Sequence, residues 1–463
     1  MKKHGKPIAL ALALLTSCGG GSATASIIHR DIVWENPYAG TAKETATLSV
    51  WAGNSEESIA YLNAIIADFK KANPDSNYTF KVKAVSESKV RGTWNEDPNN
   101  AADFAVLADD QFPLMIQDKR LQDLDSLSFD IPALAENVET RNSPDAIEAV
   151  TNKGLLYGFP VSASNGYILY YNSELLSPRD VTSFDTLLAA VKRVSEEKNT
   201  DYAFGFPYNS GWYLDGWFHG AGFSATGEAD GETIQSDWNG EVGGVKGVDV
   251  AGALVKLAHG QYEKYWTSDK EETLINHASS KYRNKRVIAT ISGTWNYNAL
   301  KGYWGEGKTG AAVLPTFNVG SKEFRMNSVK GFKIGVVNKN KKDNVLPAMR
   351  FAEFYSNYES QIVRFDNLSE APTNTASLAQ CDLDANPAVK AIAEQREIGG
   401  FVQKVNGVFW NPSNLLSTQL CEGTAGDGHS FITSGKGSAD IVLNDEEIQA
   451  ALDTCVSSFE HPQ

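Results

Sequence analysis

Short, nearly continuous apolar runs alternate with longer segments carrying a single apolar stripe, and this alternation predicts strand, helix, strand along most of the chain. "ATLSVW" (Ala46 to Trp51) is the first such run. After it Ile59, Leu62, Ile65, Ile66 and Phe69 recur at helical spacing, with Asn54 and Glu57 placed as a capping box and "NP" (Asn73-Pro74) as a stop. "YTFKVKAV" and "DFAVLADD" are the next strands, the second ending in two acids. Runs that are apolar on both faces suit parallel-type strands covered by helices, so an α/β lobe with ligand contacts at its strand ends is predicted. The pattern returns in "YILYYN" (Tyr167 to Asn172), a helix from about Phe184 to Glu196, "RVIATISGTW" and "AAVLPTF", which predicts a second α/β unit. "FKIGVV", a helix over Leu346 to Tyr355 and an amphipathic helix in "LNDEEIQAALDTCVSSF" follow. A length of 463 residues accommodates two lobes.

The pattern is absent before Thr45. "MKKHGKPIALALALLTSCGGGS" has a basic start (Lys2, Lys3, Lys6) and an apolar stretch from Ile8 to Leu15, too short to span a bilayer, and reads as an export signal. Small residues directly before Cys18 in "LLTSCGGG" resemble the lipobox of bacterial lipoproteins, in which residues 1–17 are removed and Cys18 carries the lipid. Residues 18–45 are small and polar and read as a flexible tether with a reach on the order of 30 Å. Loss of three lysines and no acid takes the formal charge from −15 to −18, a surface that repels nucleic acid and anionic headgroups. Cys381, Cys421 and Cys455 lack metal-site spacing, and one disulfide with a free thiol or three buried thiols are both open.

"GYWGEGKT" (302–309) has the spacing of a phosphate-binding P-loop, which needs a strand before it and a helix after it. Here "TWNYNALK" before it reads as a helical turn, while Gly310, an apolar run to Leu314 and Pro315 exclude a helix after it. It is therefore a glycine-rich loop, and no cofactor is expected.

Ten tryptophans are many, and several stand at strand ends: Trp51, Trp295, Trp410, and Trp212 with Trp217 in "SGWYLDGWFHG". Such rings offer an apolar face to the C–H side of a pyranose, while Asp and Asn nearby take its hydroxyls. His219 in "WFHGAG" reads as a packed helix histidine.

"TLSVWAGN", "DFAVLADDQF", "YGFPVSASNGYILYYNSELL", "ISGTWNYN", "AAVLPTF" and "GVFWNPSN", in this order over residues 46–463, resemble the bacterial extracellular solute-binding proteins of the maltose/maltodextrin-binding type. These are the lipid-anchored capture subunits of ABC importers. The resemblance implies a two-lobed periplasmic-binding (Venus-flytrap) α/β fold, each lobe a mostly parallel sheet flanked by helices, with three hinge crossings near Val161–Asn165, Leu314–Asn318 and Ser369–Pro372. The N-lobe would take 46–162 with 318–368 and the C-lobe 163–317 with 369–463. It further implies a monomer that captures a neutral oligosaccharide such as a maltodextrin and delivers it to membrane permease subunits on the extracytoplasmic side of the cell membrane. The sugar-binding positions implied are Trp51, Asn54, Asp109, Asp110, Asn165, Trp212, Tyr213, Trp295, Trp410 and Asn414. Leu107, Gln111, Asn165 and Asn414 depart from the maltose-binding pattern, leaving fewer acids and no arginine in the site.

A glycoside hydrolase with a tryptophan-lined cleft is the alternative. It needs two carboxylates about 5 Å or 6.5–9.5 Å apart across the scissile bond. Asp109 and Asp110 are adjacent, so their side chains diverge at a strand end; no H-E-x-x-H or G-x-S-x-G is present, and binding without catalysis is expected.

Overall fold

The computed structural model describes residues 27, 43–127, 130–227, 233–267, 286–405 and 407–461; the signal segment, Cys18 and most of the tether lie outside them. In chain order the elements used below begin with β1 (Thr45–Ala52), α1 (Glu56–Ala72), β2 (Asn77–Ala84), β3 (Phe104–Ala108), β4 (Phe159–Ser162) and β5 (Tyr167–Asn172). Next come α2 (Phe184–Lys198), β6 (Tyr202–Gly205), α3 (Gly211–Gly220), β7 (Trp266–Thr267), β8 (Arg286–Gly293), α4 (Tyr297–Trp304) and β9 (Thr309–Ala312). The rest are β10 (Thr316–Val319), β11 (Lys322–Arg325), β12 (Ser328–Val329), β13 (Lys333–Val337), α5 (Val345–Tyr355), α6 (Tyr358–Leu368), α7 (Pro387–Gly399), β14 (Gly400–Phe401), α8 (Trp410–Glu422) and α9 (Asp445–Glu460).

Two five-stranded sheets result, ordered β2-β1-β3-β13-β4 and β7-β6-β8-β5-β9. Each is mixed, more evenly than the apolar runs imply. In the first, β1 runs parallel to β2 and β3, whereas β13 is antiparallel to both β3 and β4. In the second, β6 runs parallel to β7 and β8, whereas β5 is antiparallel to β8 and β9. The antiparallel members enter each sheet next to a point where the chain passes to or from the other, so they arrive from the opposite end. Burial on both faces explains the continuous apolar runs: every residue of β3 and β13 is buried. In β5 the alternate residues Leu169 and Tyr171 face one core while Ile168 and Tyr170 face a second layer of α4 and α7.

The helix after β1 starts one residue later than its sequence pattern suggests. Ser55, not Asn54, is the N-cap, accepting from the Ser58 amide at 3.0 Å, and Tyr61, Leu62, Ile65, Ile66 and Phe69 are its buried stripe. "GYWGEGKT" spans the end of α4, Gly305 and Gly307 at φ 107° and 73°, and the start of β9, the reverse of strand–loop–helix. Phe317, Val319, Met326 and Val329 pack into the core of the second sheet, and Phe332, Ile334 and Val336 into that of the first. Cys381, Cys421 and Cys455 form no disulfide with one another among the described residues, and burial pushes the Cys455 thiol up to about 12. No described helix is long and apolar enough to cross a membrane.

Candidate functional site

The buried strand β3 ends at Ala108, and the chain turns at once through Asp109 and Asp110. Asp109 is held from two sides: Asn165 Nδ2 donates to its Oδ1 at 2.8 Å and the Phe332 amide to its Oδ2 at 3.0 Å. Burial raises its carboxyl to about 6 even so, because these bonds offset only part of the desolvation. Asp110 Oδ1 is buried with no hydrogen-bond partner among the described residues, and burial together with the charge of Asp109 pushes this carboxyl up to about 7. The turn therefore presents one acid held on both oxygens and one with an unpartnered oxygen. An unsatisfied buried acceptor is costly unless a ligand fills it.

The second sheet contributes rings. Trp295 follows β8 and is 38% exposed; its ring lies 5.7 Å from that of Trp212 at 30°, and Trp212 packs edge-on against Tyr167 at 4.7 Å and Tyr213 at 5.1 Å. Gly293 permits this arrangement, since a Cβ there would stand 2.0 Å from the Trp295 ring. Trp212 is placed by α3, whose first amide, that of Gly211, donates to Asn414 Oδ1 of α8 at 2.7 Å. Trp410, half-buried at the start of α8, packs edge-on against Phe409 at 5.2 Å.

The acid and the ring halves meet at the stretch between β4 and β5. Thr294, next to Trp295, donates its hydroxyl to the Ser164 carbonyl at 3.0 Å, and the following residue, Asn165, reaches Asp109. An aromatic platform and an acid–amide pair from different sheets are thus joined across two consecutive residues. Residues 64–391 match the family of bacterial extracellular solute-binding proteins. The chain belongs to that family. Among curated relatives, the maltodextrin-binding protein MdxE of Bacillus subtilis is 24% identical over 374 residues, 78% of this chain and 81% of its own. A maltooligosaccharide ABC transporter solute-binding lipoprotein of Streptococcus pneumoniae is 21% identical, covering 84% of each chain. A solved structure with acarbose is similar at a TM-score of 0.70 and 26% identity, over 89% of this chain and 98% of its own. The maltodextrin binding protein MalE1 of L. casei without ligand shares the two-lobed fold at a TM-score of 0.69, with 20% identity over 90% of this chain and 99% of its own.

In this solute-binding protein the expected site residues fall into three groups. Asp109, Asp110 and Asn165 stand together, as do Trp212, Tyr213 and Trp295, with Asn414 and Trp410 on the helix that caps α3. Tyr213 is buried behind Trp212. Trp51 and Asn54 sit in β1 and in the loop after it. Trp51 is 2% exposed in the first core, edge-on to Trp94 at 6.2 Å, with Lys83 Nζ 4.8 Å over its ring, while Asn54 lies exposed in the loop before α1. Trp51 sits opposite Lys83 in the register of two parallel strands, and a cross-strand partner of that kind covers the ring where a sugar would stack.

Arg396 was not expected, because the sequence pattern leaves the site without an arginine. It projects from α7 with its guanidinium 4.7 Å over the Phe332 ring, donates to the Gly331 carbonyl at 3.3 Å, and its charge draws down the carboxyl of Asp109. No local signal marks it, since both contacts are non-local. Two hollows among the described residues lie elsewhere: one of about 580 Å³ among Phe184, Trp217, Lys256 and Phe317, another of about 760 Å³ among Phe69, Arg141, Arg350 and Tyr358.

Proposed function

We propose that this protein captures a neutral oligosaccharide of the maltodextrin class between its lobes and hands it intact to the permease subunits of an ABC importer. The observation that carries the reading is the junction of the Trp212–Trp295 platform with the Asp109–Asn165 pair through Thr294 and Ser164. Rings take the sugar's C–H face and the acid–amide pair its hydroxyls. The curated relatives, named for maltodextrin or maltooligosaccharide, support the same substrate class. The lobes we propose are 43–162 with 332–371 and 167–329 with 387–461, which moves the second crossing from Leu314–Asn318 to the stretch between Val329 and Phe332 and the third from Ser369–Pro372 to a stretch ending near Pro387. Closure on the ligand would be a hinge motion about these crossings. Export with a lipid on Cys18, action as a monomer and absence of catalysis complete the proposal.

Calorimetric titration of the soluble chain starting after Cys18 against maltose, maltotriose, longer glucans, xylo- and manno-oligosaccharides and ATP tests it, with analysis of the sugars afterwards. One-to-one binding of an intact glucan is the expected result. Cleaved sugar would establish a hydrolase instead, and binding of ATP alone would overturn the reading of both the cleft and the glycine loop.

A further inference from the structure

Charged side chains are rarely buried unless paired, and the cost of taking them out of water is several kcal/mol each, on the order given by continuum estimates. Four are gathered in the first lobe around the segments that carry the acid pair. Arg364 is 2% exposed, Glu370 4%, Lys333 6% and Glu87 17%. Lys333 Nζ stands 2.6 Å from Glu370 Oε1 and 2.8 Å from Glu87 Oε2, while Arg364 Nε stands 2.7 Å from Glu370 Oε2 and its Nη2 3.5 Å from Glu87 Oε1. Two acids and two bases leave no net charge. Ser162 adds a third donor to Glu370 at 2.9 Å, and Arg364 Nη1 donates to Tyr355 Oη at 3.0 Å. Burial alone would raise the Glu370 carboxyl, but Arg364 and Lys333 beside it hold it well below the usual carboxylate range.

Two of the three partners of Glu370, Lys333 and Ser162, sit on segments that run directly into the site, and the third, Arg364, lies within α6. Lys333 opens β13, and the preceding residue, Phe332, donates its amide to Asp109 Oδ2 and accepts from the Asp109 amide at 3.1 Å. Ser162 closes β4, three residues before Asn165. Between them the Ala163 amide donates to the Ala371 carbonyl at 2.8 Å, and Ser164 Oγ accepts from the Ala371 amide at 2.5 Å. Glu87 accepts on its carbonyl from Gln111, the neighbour of Asp110. Ser369 holds the left-handed conformation at φ 56°, which costs a non-glycine residue about 1 kcal/mol and persists where surrounding structure enforces it. Glu370 is thus placed by a strained turn beside the segments that lead to Asp109 and Asn165.

We propose that Glu370 is a positioning residue for ligand binding, an inference that rests on the function proposed above: by tying Ser162, Lys333 and Arg364 together it sets the separation and orientation of Asp109 and Asn165. It does not touch the ligand. Its contribution is geometric, and it is distinct from its part in stability because the two respond differently to a charge-balanced substitution.

Glu370→Gln alone leaves Lys333 and Arg364 with one acid and is expected to unfold more easily. The double variant Glu370→Gln with Lys333→Met removes one charge of each sign and keeps the cluster neutral. It is expected to fold, yet to bind maltotriose about tenfold more weakly by calorimetry, with faster dissociation. Its binding is also expected to shift its pH midpoint upward by about one pH unit, because Asp109 loses the Asn165 and Phe332 donors that hold its carboxyl down, a readout that a purely structural role would not move. Ser162→Ala, which removes one donor and no charge, is expected to weaken binding about threefold and decides the matter if the double variant does not fold. Wild-type affinity and pH profile in a folded double variant, or unchanged affinity in Ser162→Ala where the double variant is unfolded, overturns the positioning role while leaving the functional reading intact. Failure of the wild-type protein to bind any oligosaccharide of the panel overturns both.

Discussion

Replacing Asp215 with Asn is expected to stabilise this protein at alkaline pH and to do almost nothing in acid. Asp215 lies on α3, the helix that carries Trp212, and is wholly buried. Gln403 Nε2 donates to its Oδ2 at 2.6 Å, while Oδ1 has no hydrogen-bond partner among the described residues; His219 Nε2 stands 3.6 Å from it and Tyr167 faces it from β5. Burial pushes this carboxyl up to about 7 and the His219 imidazole down to about 4, so both groups are neutral across the middle of that range. The unfolded chain releases the aspartate proton near pH 3.9 and the folded protein near 7, so the unfolded state is progressively favoured between these values. The cost is absent below pH 4 and reaches about 4 kcal/mol above pH 7, at about 1.4 kcal/mol per pH unit. His219 works the other way, its cost growing as pH falls from about 6.5 towards 4, which masks the aspartate effect in the wild-type profile. Asp215→Asn keeps the shape and the Gln403 acceptor and removes only the titration. Urea unfolding followed by tryptophan fluorescence should show the variant within about 1 kcal/mol of wild type at pH 4.5 and about 4 kcal/mol more stable at pH 8. A variant less stable than wild type at pH 8 would mean that Asp215 is ionised and paired with His219, and the reasoning would fail.

Trp295→Ala and Trp410→Ala are each expected to weaken oligosaccharide binding more than about tenfold by calorimetry with the unfolding midpoint little changed, since Trp295 is 38% exposed and Trp410 half-buried. Gly293→Ala would bring a methyl within 2.0 Å of the Trp295 ring and displace it, so it is expected to reproduce the Trp295→Ala loss and to change ligand-induced fluorescence; wild-type affinity would show that the ring's resting place does not matter. Affinity is expected to rise with pH through 6 to 7 as Asp109 and Asp110 ionise and become stronger acceptors for sugar hydroxyls, and Asp110→Asn should flatten that rise; an unchanged profile would remove Asp110 from the site.

The parts of this molecule that could be read from sequence are those whose cause is local. "YILYYN" is a strand from Tyr167 to Asn172 because its apolar run is buried on both faces, and the flanks of "GYWGEGKT" told against a phosphate loop through Gly310 and Pro315. Asn54 and Ser55 are both competent caps one residue apart, and only the geometry of the turn chooses Ser55. Trp51 resembles a platform tryptophan in position, yet its fate was decided by Lys83 and Trp94, which the chain brings in from later segments. Arg396 and the Glu87–Lys333–Arg364–Glu370 cluster were illegible for the same reason: isolated charges in sequence look like solvated surface, and only the packing of distant segments buries and pairs them.

The electrostatics of the acid pair bear on what kind of solute fits. With carboxyls near 6 and 7, the pair carries between one and two negative charges at neutral pH. A sugar hydroxyl is both donor and acceptor, so it can donate to the ionised member and accept from a protonated one without bringing a charge of its own into the cleft. An anionic solute would add further negative charge beside two buried acids. The Trp212–Trp295 rings add an apolar face that hydrated ions do not use. A neutral polyol with one C–H-rich face satisfies both halves of the site at once, which is why the proposed ligand is an oligosaccharide and why its affinity should follow the ionisation of Asp109 and Asp110 more closely than the overall charge of the protein.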